Sequence, residues 1–477
     1  VNQASPGDTI VLGEGTYTPC YREPNRREWV HAYITTDNLT IRGDGKVVLD
    51  GQDRRWGILV RQANNVRLLD IEFIKLRRHA VIFEATRNSV GERLHAHDFN
   101  YDNHISGMFR IVGDAYRSGF VNCIADGGGA NSISGFEFRE NGAWTAGDHY
   151  VPPAGYGAAE AAGWEGYPGT PLECFIRKCI AFNFYGSKDH SDCAMLRYAR
   201  KPLVEGSVFY GAADDGLDML GCVDGRVRSC IIYGMRGPGN SNGAKLAARG
   251  GLRNTVVDTI IFGTDDDCLD FEKCANCQVR NNGLYYGRSG IRYGRPGAGG
   301  GFVTVRNTVQ YCTESFGGDP AAPMIEFDHN VSDLGNTKGF ENYGPNNIER
   351  SIPPRFDSSW LPTDPGGGDA ASRIAVIAQQ VHDAFPGSAT DTGGGEGGGG
   401  DEGQGEAPDY EEPEVPDGGE EGEQPPEVGD GSATCTAACI IEVERLEARV
   451  EDLENYILGL RRNLIGAAEC LDALAQE

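Results

Sequence analysis

The chain has 477 residues, 68 of them glycine, and a formal net charge of -27. That length exceeds what one ordinary domain requires, so a large core with appendages is expected. The charge balance argues against a basic nucleic-acid footprint, and no apolar run approaches the ~20 residues that span a bilayer.

The chain starts abruptly at Val1, almost at the turn Pro6-Gly7-Asp8, and upstream residues, with any export signal, are expected. Thr9 to Leu12 reads as a first short strand. Further short strands follow at Leu39 to Arg42, Val47 to Leu49 and Val66 to Phe73, separated by Gly, Asn and Asp. The sequons Asn38-Leu39-Thr40 and Asn330-Val331-Ser332 make Asn38 and Asn330 candidate glycosylation sites.

A repeat becomes countable in the middle of the chain. Cys179 to Phe182, Ser207 to Tyr210, Cys230 to Tyr233, Thr259 to Phe262, Gly283 to Tyr286 and Thr308 to Tyr311 share one pattern. Each is a small residue, two mostly apolar residues and an aromatic, with a period of about 25 residues. Several short strands per period fit the rungs of a parallel β-helix, in which equivalent residues stack about 4.8 Å apart. Cys123, Cys179 and Cys230 fall at the small position and are expected to be buried thiols. For Cys268, Cys274, Cys277 and Cys312 the expectation is one or two disulfides across rungs. Arg139 to Glu173 breaks the rhythm with Trp144, Tyr150, Tyr156, Trp164 and Tyr167, which read equally as a sugar-stacking wall or as an outer seal or subunit contact.

Three elements follow the β-helix domain of residues 1–365. Residues 366–388 hold an amphipathic helix, with Ile374, Ile377, Val381 and Phe385 on one face and Asp369 as its cap. It is expected to close the open end of the solenoid. Residues 389–434 form an acidic Gly/Pro/Glu-rich linker; fifteen acids and no Lys or Arg lie between Asp391 and Asp430. In residues 435–477, apolar side chains from Val443 to Leu474 alternate in steps of three and four, a coiled-coil helix that predicts self-association through 443–474. Cys435, Cys439 and Cys470 flank it and are available for interchain disulfides.

The chemistry concentrates between Asp192 and Lys245. Asp192, then Asp214, Asp215 and Asp218, precede Gly239-Asn240-Ser241-Asn242-Gly243-Ala244-Lys245. Clustered aspartates supply the oxygens that Ca2+ prefers. A uronate carries a C5 proton that is only weakly acidic; a cation on its carboxylate makes removal feasible, and a lysine can accept the proton once neutral. Asp192 and Asp214, and again Asp218 and Lys245, are separated by about one rung, which stacks them on one face.

These residues resemble the family 9 polysaccharide lyases. The resemblance covers roughly residues 1 to 345 and rests on Asp192, on Asp-Asp-x-x-Asp at 214–218 and on Gly-Asn-x-Asn-Gly-x-Lys ending at Lys245. It implies an all-β, right-handed parallel β-helix, Ca2+ ligands at Asp192, Asp214, Asp215 and Asp218, Lys245 as the Brønsted base, and pectate-like substrates. Cys193 and Ala244 depart from the family, which usually has Gly and an aromatic there. Arg197, Arg236, Arg249 and Asn242 are further candidates for binding an acidic polysaccharide. Asp265-Asp266-Asp267-Cys268-Leu269-Asp270 repeats the aspartate pattern and reads as turn acids without a lysine motif of its own. The expected function is an extracellular calcium-dependent lyase. The alternatives are a non-enzymatic subunit of a fibre, appendage or viral spike, favoured by the heptads, and a carbohydrate-binding module.

Overall fold

The computed structural model describes residues 4–22, 24, 29–100, 107–129, 134–140, 169–186, 191–237, 241–246, 251–271, 276–294, 301–318, 324–333, 346–351 and 357–385. The expected acidic linker and coiled coil, with Cys435, Cys439 and Cys470, lie outside them, as do the aromatics of the long loop, Arg249 and Asn240.

From Phe175 onward each rung contributes three strands to three parallel ladders; in the early rungs Val47–Arg61 and Arg67–Glu84 run through the corners as single long strands. The first sheet stacks Ala194–Arg197, Leu217–Leu220, Ala244–Leu246 and Leu269–Phe271. The second stacks Phe175–Arg177, Leu203–Glu205, Arg226–Arg228 and Thr255–Val257. The third stacks Ile180–Phe184, Val208–Ala212, Ile231–Tyr233 and Ile260–Phe262. The fold is therefore the expected all-β, right-handed parallel β-helix. Strands of three to five residues end at corners held by a single left-handed residue, such as Lys178, Ser229, Asp258 and Asn281 between the second and third sheets.

Side chains alternate in and out along each strand. The inward set is a continuous core containing Cys179, Ala181, Phe209, Cys230, Ile232 and Ile261. Cys123, Cys179 and Cys230 are buried free thiols, as the small-residue position predicts. Cys268 and Cys312 are also free and buried, so the expected cross-rung disulfide does not include them; Cys277 is disulfide-bonded.

The outward set on the third sheet is aromatic. Phe182, Tyr210, Tyr233 and Phe262 stack with ring centroids 4.9 to 5.1 Å apart, the strand spacing itself. The next member is Tyr285, not Tyr286, because Phe262 pairs with Tyr285. The repeat read from Gly283 and Thr308 is thus one residue out of register, and such a slip exchanges inside for outside. The small position on those rungs is filled by Asn282 and Asn307.

This aromatic face needs a cover, and the helix Ala370–Ala384 provides it. Its buried Ile374, Ile377, Val381 and Phe385 pack on Ile180, Ile231, Ile260, Tyr233 and Phe262. Asp369 caps it as expected, accepting from the Ser372 amide at 2.8 Å. The helix lies along the flank of the solenoid, on the aromatic ladder, rather than across its open end. Asp364 ties it down by accepting from Tyr210 and pairing with Arg373.

An internal asparagine ladder replaces cysteine and serine in the later rungs. The Asn282 amide donates to Asn307 Oδ1 at 3.0 Å, Asn307 to Asn330 Oδ1 at 3.1 Å, and Asn330 to Asn347 Oδ1 at 2.9 Å. Asn330 is 1% exposed and its Nδ2 donates to Thr304 O at 2.9 Å. It is buried in the ladder, whereas Asn38 is exposed at a corner. Asn307→Ala strands the buried Asn282 amide and should destabilise the protein by about 1–3 kcal/mol for each polar group left unpaired, readable as a lowered Tm by calorimetry.

Candidate acidic site on the first sheet

The corner between the third and first sheets stacks Asp192, Asp215, Asn242 and Asp267 on four successive rungs. Asp192 Oδ1 accepts from the Asp215 amide at 3.1 Å. Asp215 Oδ1 accepts from the Asn242 amide at 3.1 Å and from its Nδ2 at 2.9 Å. Asn242 Oδ1 accepts from the Asp267 amide at 3.2 Å. Gly216 and Gly243 follow the two middle members. A Cβ on Gly243 would lie 2.7 Å from the Cys268 carbonyl and overlap Ile261, so the neighbouring rung demands glycine there.

Carboxylate oxygens of Asp192, Asp214 and Asp215 gather within 4.8 Å of one another. Asp192 is fully buried, and its Oδ2 has no hydrogen-bond partner among the described residues. Burial raises the Asp192 pKa well above the ordinary carboxylate value, and Asp214 and Asp218 raise it further. Burial, then Asp214, Asp218 and Asp192, do the same to Asp215. Such a cluster is an uncompensated negative charge unless protons or a cation neutralise it.

Asp218, Lys245 and Asp270 occupy one outward row of the first sheet, paired in register across consecutive rungs. Lys245 is half-buried. Burial pushes its pKa down, but Asp215, Asp218, Asp270 and Asp214 outweigh that and hold it above the ordinary lysine value.

The other sequence candidates divide. Arg197 is 6% exposed and its charge acts on Asp192. Arg236 is exposed at the same corner. Asn242 is fully buried, its amide bonded to Asp215 and Asp267 as a member of the corner ladder. Cys193 and Ala244 are buried in the core.

Asp270 was missed as a neighbour of Lys245. Its signal was the second Asp-Asp-x-x-Asp run, which lies one rung beyond the lysine rather than apart from it. The two runs flank the Ser241, Asn242, Lys245 rung symmetrically and then differ. Arg288 reaches Asp267 Oδ2 at 3.1 Å and Arg292 at 3.3 Å, so cationic side chains already neutralise the second run. In the first run, carboxylate oxygens of Asp214 and Asp215 converge with one of Asp192.

On the same sheet, toward the N-terminus, His79 is buried, with Nδ1 2.6 Å from Gly107 O and Nε2 3.3 Å from Arg110. Burial, then Arg110, lowers its pKa from 6.5 to about 3, against the opposing charge of Glu137. A depressed histidine stabilises the fold fully above its unfolded pKa, and that contribution is lost as pH falls from about 6.5 toward 3. Melting curves across that window should show a shallower pH slope for His79→Gln than for the native chain.

The register and corners define a right-handed parallel β-helix protein with an acidic site on its first sheet. Residues 173–317 match the family model described as right handed beta helix region. No curated protein sequence matches the chain. Among solved structures it is similar to pectate lyase Pel9A, at 13% identity and TM-score 0.39, covering 72% of this chain and 74% of that one. It is similar to an alginate lyase of family PL6 at 11% identity and TM-score 0.46, covering 71% of this chain and 51% of that one. It is also similar to the tailspike protein of E. coli bacteriophage HK620 at 11% identity and TM-score 0.45, covering 70% and 61%. This chain thus spans about half the length of that alginate lyase. No helix among the described residues is long and apolar enough to cross a membrane.

Proposed function

We propose that this chain is an extracellular calcium-dependent lyase that cleaves an acidic, uronate-containing polysaccharide by β-elimination. The observation that carries the reading is the convergence of three carboxylates within 4.8 Å, one with a buried oxygen lacking a partner, beside a half-buried lysine on the adjoining rung.

The donor set fits calcium: every candidate ligand is a carboxylate oxygen, and the orphaned Asp192 Oδ2 is relieved only by a proton or a cation. Asp192, Asp214 and Asp215 would hold the ion, with Asp218 beside them. When bound, calcium supplies Lewis-acid withdrawal of charge from a substrate carboxylate. Lys245 Nζ takes the C5 proton; the C5–H electron pair forms the C4–C5 double bond as the C4–O4 bond breaks, and the leaving oxygen takes a proton from water. Lys245 can do so only when neutral, and the carboxylates around it oppose that while their charge stands uncompensated. Compensation of the Asp cluster is therefore the condition for a competent base. Arg197, Arg236 and Arg249 are proposed to hold further substrate carboxylates. Self-association through 443–474 belongs to the same reading and would present several sites to one polymer.

One observation favours a second reading. Lys245 between Asp218 and Asp270 is built as a stable cation, which suits a carbohydrate-binding module or fibre subunit that holds an acidic sugar without eliminating it. Incubation with polygalacturonate and a panel of other uronates, with calcium or chelator, separates the two. Elimination creates an unsaturated sugar that absorbs in the ultraviolet. Calcium-dependent absorbance supports the lyase; binding with no absorbance on any polymer supports the module.

A further inference from the structure

The outer face of the second sheet is rich in cations. A groove of about 880 Å³ there is lined by Arg117, Arg177, Lys201, Arg226, Arg228 and Arg253 against only Glu173 and Asp224.

The register explains how the groove is built. At the corner between the first and second sheets, a left-handed residue on each rung carries alternating charge: Arg117, Glu173, Lys201, Asp224, Arg253. These pair along the ladder, Arg117 with Glu173 at 2.7 Å and Arg253 with Asp224 at 2.6 Å; Lys201 stands 3.9 Å from Glu173. On the strands, Arg177 and Arg228 share Glu205. Arg226 is left over. It is exposed, and among the described residues no carboxylate pairs with it.

The row that includes Arg226 is the floor. Phe175, Leu203, Arg226, Thr255 and Gln278 are in register on consecutive rungs, with Pro202 beside them. Arg177 lies over the Phe175 ring at 4.7 Å. The row therefore runs aromatic, aliphatic, free guanidinium and two uncharged polar groups, one position per rung, with Pro202 a second aliphatic surface on the Leu203 rung. Strands about 4.8 Å apart are spaced at roughly the length of one sugar residue. Apolar floor positions suit the faces of sugar rings, and a guanidinium suits a carboxylate bidentately.

We propose that this groove is a second binding surface, on a different face from the Asp192–Lys245 site, for a single strand of carboxylated polysaccharide running along the solenoid axis. It would hold the polymer without calcium and without chemistry. The choice of a uronate polymer shares the substrate class of the proposed function; the groove itself does not depend on that activity. A polyphosphate is the poorer fit, because the floor is partly apolar.

The test measures affinity in chelator at low salt, where the calcium site is silent. Polygalacturonate oligomers, dextran and a DNA oligonucleotide are titrated into the full chain and into Arg226→Glu/Lys201→Glu. Both residues are exposed, and an unchanged melting curve checks the fold. The expected result is binding of polygalacturonate but not dextran, weakened at least tenfold in the variant. Calcium-dependent ultraviolet product should persist in the variant. No polygalacturonate binding in chelator, equal binding by the variant, or equal binding of DNA would each overturn the proposal. Chelator-resistant binding lost in the variant, with no ultraviolet product from either protein, would uphold the groove and sink the lyase.

Discussion

Lys245→Ala is expected to reduce formation of unsaturated product by at least about two orders of magnitude, the usual scale for loss of a general base. The side chain is half-buried in an outward row between Asp218 and Asp270, so truncation removes the amine without opening the core. Lys245→Arg is the sharper companion. Arginine keeps a cation between the two carboxylates but stays protonated at any usable pH, so it preserves the charge pairing and cannot accept the proton. A lyase should be inactive in both variants. A binding module that uses Lys245 as a cation should lose affinity in the alanine variant and retain much of it in the arginine variant. Ultraviolet product formation and polymer binding, measured on the same preparations, decide between them.

Calcium is expected to raise the Tm of the native chain, and Asp192→Asn is expected to abolish that rise. A ligand that binds only the folded state stabilises it by about 2.7 kcal/mol at a hundredfold excess over Kd. Asp192 is chosen because its Oδ2 is buried and without a partner, while its Oδ1 already accepts from the Asp215 amide. The asparagine keeps an acceptor for that bond and removes a buried charge. In chelator the variant should therefore be at least as stable as the native chain, since uncompensated buried carboxylates cost stability. Calorimetry with calcium and with chelator gives both comparisons. A native Tm indifferent to calcium would remove the ion from the proposed function.

Asp267 is the instructive contrast. It occupies the same corner ladder as Asp192 and Asp215 and belongs to an identical Asp-Asp-x-x-Asp run. Arg288 and Arg292 sit against it, so its charge is balanced within the chain. Nothing in the two runs distinguishes them; the distinction lies in which side chains the next rung delivers. Asn242 teaches the same point from the other side. As part of an Asn-rich motif before Lys245 it reads as a substrate ligand, yet its position in the ladder buries it and spends both ends of its amide.

From sequence alone the solenoid was legible, because each rung is a local unit. Small inward residues, alternating apolar positions and corner residues recur along the chain whatever the neighbours do. The stacking of Asp218 on Lys245 followed from the same period. The capped amphipathic helix was legible too, since its face and its cap are local. Tertiary structure alone decided what depends on register and on which surface remains uncovered. Corners vary in length, so the period cannot say whether Tyr285 or Tyr286 faces outward, and one residue exchanges core for surface. It cannot say that the helix would cover the aromatic flank rather than the open end. Nor can it say that Asp270 flanks Lys245, or that six cations from five rungs would line one groove. Those are contacts between rungs, and their energies exist only once the rungs are stacked.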